Sequence, residues 1–146
     1  MKKLIFLFLF FPWRNSFAQE IGIRFGDFGN NSVAIDGIVN FEDLTRLHGY
    51  ITFGNGIGAN LIYDFKVKSL DAIQSNFQYY FGVGVNTFIG SPFVLGLNGE
   101  TGIEYLFKET PITLGLDWSP QLNIITKTSL DLLSFGINIR YRINEL

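Results

Sequence analysis

The sequence has no cysteine, a single histidine and few charges. Without cysteine there is no disulfide framework, no thiolate metal site and no lipid-modified cysteine. His48 alone makes no histidine cluster, so no metal or other cofactor is expected. Charged residues make up 16% of the chain, against about 25% in an ordinary globular domain. The net charge is −2 and the basic residues do not cluster, which argues against a nucleic-acid partner. No apolar run approaches the about 20 residues that a membrane helix needs.

What is present is apolar and small. Hydrophobic residues are 47% of the chain, with 16 Phe and 16 Gly among 146 residues. Lys2 and Lys3 precede an unbroken apolar run over residues 4–11, and Ser16-Phe17-Ala18 puts small residues before Gln19. That order predicts a cleaved secretory signal peptide over residues 1–18 and a single domain over residues 19–146. Lys2, Lys3 and Arg14 leave with the leader, so the remainder keeps 8 basic and 13 acidic residues, a net charge of −5.

The C-terminal stretch sets the pattern for this domain. Leu133, Phe135, Ile137, Ile139, Tyr141 and Ile143 alternate with Ser134, Gly136, Asn138, Arg140 and Arg142. Period-two alternation predicts a β-strand with two unlike faces. The same pattern predicts seven earlier strands, over residues 21–26, 33–40, 47–53, 57–66, 77–86, 93–107 and 112–119. Connections are expected at 27–31, 41–46, 54–56, 68–75, 89–92, 108–111 and 125–130, with 68–75 the longest. Pro120 cannot donate to a ladder, so a bulge or bend is expected there.

Two features favour lipid around these strands. Arg24, Asp36, Asp64, Lys66, Glu100, Glu104, Asp117, Arg140 and Arg142 all take the polar parity, and the apolar parity carries no charge. With the N-terminus in the periplasm, Tyr63, Phe65, Phe77, Tyr79, Tyr105, Phe107 and Tyr141 fall at one rim. Phe25, Phe53 and Phe93 fall at the other, as two aromatic girdles would. The expected architecture is all-β: an eight-stranded antiparallel up-and-down transmembrane β-barrel.

The segments Ile103-Glu104-Tyr105-Leu106-Phe107-Lys108-Glu109-Thr110-Pro111 and Leu116-Asp117-Trp118-Ser119-Pro120 carry a family resemblance. The domain resembles small eight-stranded bacterial outer-membrane β-barrels, the class of outer membrane protein X and the membrane domain of outer membrane protein A. The resemblance implies an outer-membrane location in a Gram-negative-type envelope, among lipid and lipopolysaccharide. It also implies insertion by the barrel-assembly machinery with periplasmic chaperones, and a monomer. Ser134, Gly136, Ile139 and Tyr141 resemble the insertion signal of such barrels, although Asn144-Glu145-Leu146 run past it. The family brings no established catalytic residue.

The candidate site is a lumen charge network of Arg24, Asp36, Glu100, Glu104, Asp117, Arg140 and Arg142. Arg24 on the first strand is expected to meet the neighbourhood of Arg140 on the last strand, with Asp36 on its other side. Unpaired buried charge is costly, so these groups should pair and close the lumen. Glu100 and Glu104 face the same way about 13 Å apart along their strand, which suits structure better than acid–base catalysis. Three functions follow. The leading expectation is a non-enzymatic outer-membrane barrel with a structural or envelope role. An outer-membrane lipid A deacylase-like enzyme is an alternative resting on His48, which lacks an accompanying Ser. The third is a soluble secreted β-barrel binding a small apolar ligand.

Overall fold

The computed structural model describes residues 19–28, 31–42, 45–69 and 76–143, with the side chains of 42 and 66–69 left aside. The expected leader, the side chain of Lys66, residues 70–75 and Asn144–Leu146 lie outside the described residues. Ten strand segments follow one another: β1 (Gln19–Gly26), β2 (Asn31–Glu42), β3 (Thr45–Gly54), β4 (Ile57–Ser69), β5 (Phe77–Ile89), β6 (Val94–Leu106), β7 (Ile112–Trp118), β8 (Gln121–Ile125), β9 (Ser129–Asp131) and β10 (Phe135–Arg142).

All pairings are antiparallel, most of them between sequence neighbours, and β1 also pairs with β10. That last pairing closes the sheet. β7 pairs with β6 and β10, while β8 pairs with β6 and β9. β7–β8 and β9–β10 are thus each one interrupted stave. The molecule is a closed, eight-stranded, up-and-down antiparallel barrel, the fold class expected from the alternation.

The interruption at Pro120 differs from the expectation. Thr101 is opposite Trp118, and Asn98 is opposite Gln121, so the register crosses Pro120 unshifted. Gly99 N–H still donates to the Pro120 carbonyl at 2.9 Å. Proline has no N–H to return to the Gly99 carbonyl. Ser119 Oγ donates there instead, at 3.0 Å. The hydroxyl stands in for the missing amide, so no bulge forms. The shift appears further on, where Leu95 is opposite Ile125 while Gly96 is opposite Asn123.

Three other boundaries move. β2 runs to Glu42 and β3 starts at Thr45, so residues 41–46 are mostly strand and not a connection. β4 continues to Ser69, past a register shift between Phe65 and Lys68. Residues 125–130 are not simply an outer loop, because β9 starts at Ser129 and pairs back on β8.

The barrel is apolar outside and polar inside. Ile23, Ile35, Leu61, Val85, Leu116 and Ile137 are each exposed on the outer wall, and Val83 reaches 61%. Buried residues are mostly polar or charged, with Ala34, Ile38, Tyr50, Ile62 and Tyr80 the apolar exceptions among those described. Among the described residues no Asp, Glu, Lys or Arg takes the outward parity of a strand. At the end carrying the start of β1 and the close of β10, outer rings meet edge to face. Phe65 and Phe81 lie 4.5 Å apart, Phe77 and Tyr105 4.9 Å, and Tyr105 and Phe107 4.8 Å.

Candidate functional site

The interior is built by inward parity, and its charges sort into layers. Nearest the end with the chain termini, Arg142 donates to the carbonyls of Ile112 at 2.7 Å, Phe107 at 2.8 Å and Thr110 at 3.1 Å. Arg142 therefore ties down the turn between β6 and β7, a carbonyl-binding task suited to its five donors.

The next layer turns on Glu104. Arg46 donates to its Oε1 at 2.6 Å, and Gln78 also bonds to that oxygen. Arg140 reaches its Oε2 from the other side. Arg140 also donates to Glu20 Oε2 at 2.7 Å and to Asn138 Oδ1 at 2.5 Å, and lies 3.7 Å from Asp36. Arg46 donates to Asp64 Oδ2 at 2.8 Å, and its guanidinium lies 4.1 Å above the Tyr80 ring. A planar fork that can bond in plane and stack on its face suits arginine and not lysine.

A third layer centres on His48. Its Nδ1 is 2.8 Å from Glu100 Oε2 and its Nε2 is 3.2 Å from Asp36 Oδ2. Beyond it, Arg24 clasps Asp117 through Nε at 3.0 Å and through Nη2, and Asn138 donates to the same carboxylate at 2.9 Å. The Arg24 guanidinium also lies near the rings of Phe28 at 4.4 Å and Tyr50 at 4.6 Å. Gly136 makes this possible: a Cβ there would sit 2.6 Å from Arg24 Nε.

At the far mouth the lining changes to amides. Asn98 bonds to Asn60 at 3.0 Å, Asn86 to Asn123 at 3.1 Å, and Asn31 to Thr52 at 2.9 Å. Thr52, Asn60, Asn86 and Asn123 line a cavity of about 80 Å³ that also touches Phe28, Phe88 and Asp131.

One solved structure shares this architecture. It is the solution NMR structure of the de novo designed TMB2.3, with 12% identity and a TM-score of 0.61. The match covers 90% of this chain and 98% of that one. No family model and no curated protein matches the chain. Likeness at this identity establishes the barrel fold and nothing about activity.

The structure buries every predicted network residue: Arg24, Asp36, Glu100, Glu104, Asp117, Arg140 and Arg142. The pairing departs from expectation at Arg24. Its Cα partners are Asn138 and Ala34, and its side chain skips β10 to reach Asp117 on β7. It meets neither Arg140 nor Asp36; those two approach each other, from either side of Gly22. Ser134 and Gly136 point inward, Ser134 Oγ donating to the Asp27 carbonyl at 2.7 Å, whereas Ile139 is exposed on the outer wall.

Sequence reasoning missed Glu20, Arg46 and Tyr80 as network members, and it read His48 apart from the network. Arg46 was placed in a connection and Glu20 before the first strand. Their inward parity became readable only once β1 and β3 were extended by one or two residues.

Proposed function

We propose that this chain is a small integral outer-membrane barrel with a structural or envelope role and a lumen closed by paired charge. One observation carries the reading: the inverted partition, with aliphatic and aromatic side chains on the outer wall and carboxylates and guanidinium groups inside. Water penalises such a wall, whereas lipid accepts it. Eight staves leave an interior just wide enough for side chains to fill, and here the fill is polar.

The leader-like residues 1–18 and the resemblance to the outer membrane protein X class support export and delivery to the outer membrane. On this reading periplasmic chaperones and the barrel-assembly machinery insert the chain as a monomer. Lipid and lipopolysaccharide then surround it. His48 argues for the plug over a lipid-modifying activity, because it sits inside at 0% exposure and touches Asp36 and Glu100. A soluble barrel for an apolar ligand needs its apolar parity inward, the opposite of this arrangement.

The test is a gel of the chain refolded in detergent, loaded cold and boiled. The expected result is a compact cold species that shifts on boiling. Folding without detergent, with no shift, would overturn the membrane reading.

A further inference from the structure

The His48 layer holds a feature that a closed plug does not need. His48 on β3, Asp64 on β4 and Glu100 on β6 converge so that one ligand atom from each lies within 4.8 Å of the others, all three buried. We propose that these residues form an internal binding site for one divalent cation of the zinc class, independent of where the barrel resides.

Two observations beyond the clustering point to a cation. Asp64 Oδ1 and Glu100 Oε1 are buried and have no hydrogen-bond partner, a costly state for carboxylate oxygens. Both residues belong to the triad.

The second observation is the orientation of the imidazole. Asp36 Oδ2 is 3.2 Å from His48 Nε2 and accepts from it in the tautomer that carries the proton there. In that tautomer the other ring nitrogen, Nδ1, carries a lone pair and faces Glu100 Oε2 at 2.8 Å. Two acceptors at that distance need a positive centre between or beside them, and a bound cation supplies it where Nδ1 carries no proton. A carboxylate that holds the far N–H of an imidazole is the usual support of a metal-ligating histidine. An imidazole with two carboxylates is a mixed N/O set that suits zinc and its neighbours, with Arg46 already paired to the other oxygen of Asp64. Metal bonds of about 2.0–2.1 Å would draw the triad inward by roughly 1 Å.

The experiment refolds the chain in detergent with Co²⁺ present, so that entry into a closed barrel does not limit loading. Excess metal is removed on a chelating resin, and retained cobalt is read by mass spectrometry and visible absorption. The expected result is about one Co²⁺ per chain, with d–d bands that Zn²⁺ abolishes. Glu100→Gln and Asp64→Asn, each checked for the boiling shift, should retain at least tenfold less. Asp131→Asn at the far mouth should retain as much as the parent. A folded parent that keeps less than about a tenth of an equivalent would overturn the site and leave a proton as the only positive centre. So would equal retention in both triad variants. If those variants do not fold, parent stoichiometry and absorption still decide.

Discussion

Arg24 reaches past its neighbouring stave because β10 offers it space and β7 offers it charge. Gly136 leaves no Cβ in its path, and Asp117 accepts two of its donors. Removing two charges from water costs about as much as their pairing returns, whereas removing one partner strands the other. Arg24→Met and Asp117→Leu alone should each lower stability by about 3–5 kcal/mol, and the double variant should recover most of that loss. Urea unfolding in lipid vesicles reads all three; a double variant as weak as the sum of the singles would deny the coupling. Ser119 poses a smaller question of the same kind. Its hydroxyl serves the Gly99 carbonyl that Pro120 cannot. Ser119→Ala should cost about 1 kcal/mol. Changing Pro120→Ala in that background should restore a backbone donor and with it most of the loss.

At the scale of the strand, parity is the information the sequence carries most plainly. It is written residue by residue, and burial on one face enforces it. The barrel, the strand count and the inward placement of Asp36, Glu100, Glu104 and Arg140 could all be read that way. Two things could not. Strand ends blur where register shifts occur, as between Asn40 and Glu42 in β2, which hid Arg46 in an apparent turn. Partners across the lumen depend on how far a side chain spans a closed cylinder, so the bond from Arg46 on β3 to Glu104 on β6 has no local signature. Parity alone also says nothing of depth, and depth is testable. Val83 at the middle of β5 and Ile89 at its end share the outward parity, 61% and 64% exposed. They lie about 20 Å apart along the strand. Arginine in lipid costs about 2–4 kcal/mol at the midplane and about 0–1 near an interface. Val83→Arg should therefore destabilise the barrel in vesicles far more than Ile89→Arg. Equal losses would place both sites at one depth, or neither in lipid.

For the whole molecule, closure of the sheet and the proposed occlusion of its lumen share one cause. With so few staves, residues on non-adjacent staves come within reach, and several interior bonds run across the axis. Arg46 and His48 on β3 bond to Glu104 and Glu100 on β6, and Arg24 on β1 bonds to Asp117 on β7. On the proposed closed-lumen reading, each transverse bond braces two walls and bars the path between the mouths. An ion passing through would have to separate several desolvated pairs in turn, at a cost of several kcal/mol for each charge left bare. The refolded chain in a planar bilayer should therefore show no sustained conductance. Glu104 is the weakest place to cut, because it alone holds Arg46 and Arg140 together. In Glu104→Gln two guanidinium groups face each other with their shared anion gone, so brief openings selective for anions are expected. Sustained conductance in the parent would show that the transverse pairs do not occlude the lumen. A variant that stays folded and silent would mean that the remaining layers, His48 with its carboxylates and Arg24 with Asp117, suffice to close it.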